Sequence, residues 1–187
     1  IMVQTLKNAF KTNRIAHAYI LTGVRGIGKT TTARLLARSL NYETDLINEP
    51  NIQMPEIGKH CEEIMESRHI DVIEMDAASR TGIADIREII DSINYSPSSA
   101  RYKIYIIDEV HMLSKAAFNG LLKTLEEPPA HVKFIFATTE VQKIPLTILS
   151  RCQRFDLRRF DNDMIRSLIN KVCEKEMVSF DDQIINL

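Results

Sequence analysis

Residues 23–30 read GVRGIGKT, a complete match to the pattern G-x-x-x-x-G-K-[ST]. The match constrains the fold because of what flanks it. Before it, Ala18-Tyr19-Ile20-Leu21 is a short apolar run of strand type. After it, Ala33, Leu36, Ala37 and Leu40 recur at helical spacing within residues 29–42. A strand, a glycine turn and a helix in that order form a cradle for phosphate. Gly23, Gly26 and Gly28 let backbone amides close round oxygen atoms, and the helix start adds partial positive charge. The expected nucleotide-binding segment is therefore Gly23, Val24, Arg25, Gly26, Ile27, Gly28, Lys29, Thr30 and Thr31. Lys29 is expected on an exposed loop, reaching the β- and γ-phosphates of a nucleotide, with the Thr30 hydroxyl as a ligand to Mg²⁺.

A second element completes such a site. Ile104-Tyr105-Ile106-Ile107 is an apolar strand running into Asp108-Glu109. Asp108 suits a residue that holds Mg²⁺ through water, and Glu109 a base that orients the attacking water. The pair turns nucleotide binding into nucleotide hydrolysis. A further strand, Val132–Thr138, ends in Thr138-Thr139, polar groups at the sheet edge where ligands sit in open α/β folds.

The remaining pattern agrees with that class. Helices are expected over 3–12, 59–67, 83–93 and 115–126, the last stopped by Pro128-Pro129, and strands over 71–75 and 152–157. Residues 43–57 lack periodicity and read as a loop. Alternating strands and helices predict a parallel sheet with helices on both faces. A final helix over 161–177 would turn Met164, Leu168, Ile169 and Val172 inward.

Composition excludes several alternatives. With 44% apolar and 26% charged residues, the 187-residue chain is neither a disordered tail nor a coiled-coil rod. Its apolar runs, such as Ile104–Ile107, fall far short of the roughly 20 residues of a membrane span. A net charge of −1 means that any grip on nucleic acid comes from a local patch or from several copies together. Cys61, Cys152 and Cys173 are too scattered for a disulfide framework and read as reduced thiols of a cytosolic protein. The chain opens on Ile1 and closes in the apolar stretch Ile184-Ile185-Asn186-Leu187, as expected of a piece of something longer.

Taken in order, GVRGIGKT, EMDAASRTGIADIR, YIIDEVHML, LLKTLEEPP, ATTE and SRC resemble the AAA+ clamp-loader ATPases, the γ/τ branch of bacterial DNA polymerase III in particular. The resemblance covers residues 15–160. It implies a P-loop AAA+ domain over 1–160, truncated at its start, and the beginning of a small helical lid domain over 161–187. It implies an ATPase that opens and loads a sliding clamp on primed DNA within the polymerase III holoenzyme. The implied partners are the other subunits of a hetero-oligomeric loader, the clamp, primer–template DNA and, through regions beyond Leu187, the polymerase core, all in the bacterial cytoplasm at the nucleoid.

The resemblance also assigns residues. Thr139 takes the sensor position facing the γ-phosphate or the lytic water, and Arg151 of SRC becomes an arginine supplied to a neighbouring subunit's ATP. Arg80, Thr81, Arg87 and Lys123 fall where such subunits contact the DNA backbone. Many γ/τ subunits carry four zinc-binding cysteines before the second strand. Here only Cys61 stands near that place, beside Pro55 and Gly58, so no zinc is expected. Two other readings share parts of the pattern. One is a DExH-type or other AAA+ DNA-dependent ATPase, spelled by Asp108-Glu109-Val110-His111. The other is a structural loader subunit with an inactive nucleotide site.

Overall fold

Alternation along the strands sorts the core into two layers. On β3 (Lys103–Asp108), Tyr105 and Ile107 point to one face of the sheet and Ile104 and Ile106 to the other. In the computed structural model, which describes residues 2–79 and 83–176, five parallel strands lie in the order β2-β3-β4-β1-β5. The others are β1 (Ala18–Thr22), β2 (Val72–Asp76), β4 (Val132–Thr138) and β5 (Gln153–Asp156). Every residue of β1 and β4 is buried, as central strands of a sheet covered on both faces must be.

One face carries α1 (Met2–Lys11), α2 (Lys29–Leu40) and α3 (Cys61–Met65), whose Leu6, Leu36, Leu40 and Ile64 pack with Ile104, Ile106 and Ile135. The opposite face carries α4 (Ile83–Ile93), α5 (Lys115–Glu126) and α6 (Leu146–Leu149). There Ile86, Ile89, Phe118, Leu121 and Ile148 pack with Tyr105, Ile107, Phe134 and Phe136. A last helix, α7 (Asn162–Glu176), belongs to a second unit. The chain divides into compact units Ile1–Leu157 and Arg158–Leu187.

The expected strands and longer helices are all present, with shifts at their ends. The helix expected over 59–67 contracts to α3, because the residues before it form turns that bond back to Glu43, Lys59 N donating to its carbonyl at 2.9 Å. The one-turn α6 and the 3₁₀ turns at Val110–Met112 and Val141–Lys143 are too short to show a period in sequence. The inward face assigned to α7 is corrected. Met164, Leu168 and Val172 are each half or more exposed, and of the four only Ile169 is partly buried.

The sheet depends on one buried carboxylate at the entry to β2. Asp71 is 1% exposed and accepts from Ser98 N, Ser99 N and Ala100 N at 2.7, 2.7 and 2.9 Å, and from Ser99 Oγ at 3.1 Å. These bonds fix the turn that feeds β3. Burial opposes the charge on Asp71, but the hydrogen bonds from Ala100, Ser98 and Ser99 outweigh it and hold its carboxyl below the usual range. A folded-state pKa below the unfolded value stabilises fully above about pH 4 and is lost as pH falls through the folded value. Asp71→Ala is expected to cost about 3 kcal/mol at pH 7 in urea denaturation, with the gap to the parent chain narrowing on acidification below about pH 4.

Candidate functional site

Three strand ends meet at the carboxyl edge of the sheet. β1 pairs with β4 and β4 with β3, with Thr22 beside Thr138 and Ile107 beside Phe136. The turn after β1 therefore opens next to the ends of β3 and β4, at the crevice where open α/β sheets bind ligands.

The turn is a glycine-built loop. Gly28, the residue before α2, sits at φ 88°, ψ 27°, where a side chain costs about 1–2 kcal/mol. Gly23 has φ 149°, and a Cβ there would lie 2.8 Å from the Leu157 carbonyl oxygen. Lys29 is buried at 6% exposure, which corrects the expectation of an exposed lysine. Its ammonium folds back on the loop, donating to the Gly23 and Val24 carbonyls at 3.1 and 3.2 Å.

Thr30 joins the loop to β3. Its hydroxyl donates to Asp108 Oδ2 at 2.5 Å, while Asp108 Oδ1 accepts from Glu109 N at 2.8 Å. Glu109 adopts a left-handed backbone (φ 45°, ψ 43°), a strained conformation for a residue with a side chain. That backbone turns its carboxylate toward the end of β4. There Glu109 Oε2 accepts from Thr139 Oγ1 at 3.0 Å and Thr139 N at 3.3 Å.

His111, nearly buried, stands between Glu109 Oε2 and Glu140 Oε1, 3.4 Å from each, with Nδ1 2.9 Å from Thr138 Oγ1. Behind the loop, the Arg34 guanidinium makes two bonds to Glu74 on β2, at 2.8 and 2.7 Å. Burial works against the Glu74 charge, but Arg34 and Ser67 outweigh it and lower its pKa.

A cleft of about 390 Å³ opens over this arrangement, lined by Arg25, Gly26, Gly28, Lys29, Thr30, Thr31, Asp108 and Glu109. Of the expected nucleotide-binding segment, Gly23, Val24 and Ile27 support the loop without lining the cleft. The structure thus brings Lys29, Thr30, Asp108, Glu109 and Thr139 together. A hydroxyl and a carboxylate touching at the mouth of a phosphate loop are a hard-oxygen donor pair that fits Mg²⁺.

Arg151 is not among them. It neither lines the cleft nor bonds to a residue that does; its Nη2 donates to Glu126 Oε1 at 2.7 Å and its Nη1 to the Thr147 carbonyl at 2.7 Å. Arg87 and Lys123 are exposed on the neighbouring helices α4 and α5. Arg80 and Thr81 lie outside the described residues. Cys61 is buried, its sulfur accepting from Gly58 N at 3.3 Å.

Sequence reasoning gave no role to Glu140, the Arg34–Glu74 pair or Glu126, and named His111 only within the spelling Asp108-Glu109-Val110-His111. Only His111 carried a signal, its place three residues beyond Asp108.

The sheet order and the loop define a P-loop fold of the AAA+ type. Solved structures of similar fold include a DNA polymerase III, gamma subunit-related protein from Thermotoga maritima, at 24% identity and TM-score 0.60. It aligns over 92% of this chain and 52% of its own. The Thermotoga maritima RuvB Holliday junction branch migration motor matches at 18% identity and TM-score 0.62, over 96% of this chain and 51% of its own.

The family model described as DNA polymerase III, delta subunit matches residues 1–161, and the chain belongs to that family. Among curated relatives, DNA polymerase III subunit tau of Salmonella typhimurium is 47% identical over all of this chain and 28% of its own length. The tau subunit of Bacillus subtilis is 47% identical over 97% of this chain and 31% of its own. The gamma subunit of Buchnera aphidicola subsp. Schizaphis graminum is 47% identical over all of this chain and 50% of its own. The chain thus spans between about a quarter and a half of these relatives.

The buried lysine gives a direct expectation. Lys29→Ala removes two hydrogen bonds from a charged donor to loop carbonyls. It should lower unfolding free energy by about 1–3 kcal/mol in urea without nucleotide, where an exposed lysine would leave stability unchanged.

Proposed function

We propose that this chain is the ATP-binding and ATP-hydrolysing part of a DNA polymerase III clamp-loader subunit, which uses ATP to open a sliding clamp and load it on primed DNA in chromosome replication. The observation that carries this reading is the bond from Thr30 on the loop to Asp108 on β3, with Glu109 beside it and held by Thr139. Binding and hydrolytic groups converge there on one cleft.

Each residue then has a distinct task. Backbone amides of residues 23–31 take up the phosphates, and Lys29 exchanges its bonds to Gly23 and Val24 for the β- and γ-phosphates. Thr30 and Asp108 would hold Mg²⁺, which supplies charge neutralisation at the β- and γ-oxygens when bound. Glu109 accepts the proton of the attacking water. Thr139, now bonded to Glu109, senses the γ-phosphate or the lytic water by releasing that carboxylate. Zinc has no part in this reading: Pro55 and Gly58 offer no ligand beside Cys61, and a structural zinc normally takes four.

Arg151 acts on a neighbouring subunit's nucleotide, a reading supported by its separation from its own cleft. Arg87 and Lys123, exposed on neighbouring helices, contact the phosphate backbone of primer–template DNA, and Arg80 and Thr81, outside the described residues, are assigned the same task. The partners are the other loader subunits, the clamp and, through regions beyond this chain, the polymerase core. Residues 161–187 begin a helical lid domain. The site of action is the cytoplasm at the nucleoid; no helix among the described residues is long and apolar enough to cross a membrane.

Mixing tests the reading. In full-length loaders, Lys29→Ala subunits and Arg151→Ala subunits are each expected to be defective alone. Mixed, a Lys29→Ala subunit still donates Arg151 to an intact neighbouring loop, and DNA-stimulated hydrolysis returns in part. A trans-acting arginine contributes about 10³–10⁵ in rate in related GTPases, so the recovery is measurable. Mixtures without recovery would place Arg151 within its own site or outside the reaction.

A further inference from the structure

An arginine that serves a neighbour has to wait on its own surface in a usable conformation, and a long exposed side chain does not do so unaided. In this chain Arg151 is held at both terminal nitrogens. Nη1 donates to the Thr147 carbonyl and Nη2 to Glu126 Oε1, each at 2.7 Å, with Ser150 Oγ 3.4 Å from Nη1. Two bonds on two nitrogens fix the plane of the guanidinium. With the Ser150 contact they use at most three of its five N–H groups, and a third of the side chain remains exposed.

Both partners stand on backbone anchored from below. Glu126 ends α5 directly after the buried Leu125, and Pro128-Pro129 block the helix from extending. Arg151 follows α6 between Leu149 and Cys152, which pack with the buried Ile148 on the same core cluster as Leu125. The Cys152 thiol is pushed up to about 12 by that burial. The distance between the two backbones is thus set by the core, and the pair has a fixed geometry despite its exposure.

We propose that Glu126 is a positioning residue for Arg151, orienting the guanidinium toward the phosphates of a neighbouring subunit's nucleotide. This rests on the trans-acting role of Arg151 given above. An exposed ion pair contributes little to stability, whereas a misplacement of about 1 Å in a reacting group costs on the order of 10²-fold in rate. A merely structural Glu126 would therefore be silent in turnover, and a positioning one would not.

The experiment uses full-length loaders in which Lys29→Ala donors are mixed with Arg151→Ala receivers. The complete sites then combine a receiver's loop with a donor's Arg151. Adding Glu126→Ala to the donor is expected to lower kcat on the order of tenfold at unchanged KM for ATP and unchanged Tm. Glu126→Gln, which keeps an acceptor oxygen, restores most of the rate. Adding Glu126→Ala to the receiver, which has no Arg151 to position, brings no further defect. A Glu126→Ala donor as active as its parent, or a defect that follows the receiver, overturns the assignment of Glu126 and leaves Arg151's role standing. Donors that restore nothing with Glu126 intact overturn both.

Discussion

The bond between Thr30 and Asp108 joins residues 78 apart in sequence, and the arrangement of the sheet exists to make it possible. It requires β1 and β3 to end at the same edge, which parallel pairing through β4 ensures. It requires α2 to start at Lys29 and no later, which the left-handed Gly28 enforces. It also requires Asp108 to face the loop, and the acceptance of Glu109 N by its other oxygen fixes that rotamer. Loosening any of these separates the glycine loop from the two acids at the end of β3.

Lys29, Glu109 and Arg151 each rest on a protein partner. Lys29 lies on the Gly23 and Val24 carbonyls, Glu109 on Thr139, and Arg151 on Glu126. Each partner is a neutral carbonyl, a hydroxyl or amide, or a single exposed carboxylate. Such bonds orient the charge they hold. The positive φ of Glu109 fits this picture, because it aims the carboxylate at Thr139 rather than leaving it beside Asp108.

Most of the fold and half of the site were legible from residue order alone. The strands at 18–22, 103–108 and 132–138 announce themselves as unbroken apolar runs because both faces of the sheet are covered. The phosphate loop and Asp108-Glu109 are local patterns, and local patterns survive in one dimension. What escaped has no local signature. The burial of Lys29 follows from its own loop folding over it, and the clasp on Arg151 joins residues 25 apart through the packing of α5 and α6. The apolar stripe of α7 read as inward because period alone cannot say whether a partner surface is present.

The central claim is that this cleft binds ATP through its loop and hydrolyses it through the acid next to Asp108. Glu109→Gln separates the two most directly, since the amide keeps shape and hydrogen bonding but takes no proton from water. ATP affinity and turnover should be measured together on the assembled full-length protein. The account predicts unchanged affinity with turnover reduced by about 10²–10⁴-fold. Turnover at the parental rate, or loss of ATP binding along with it, would contradict the account.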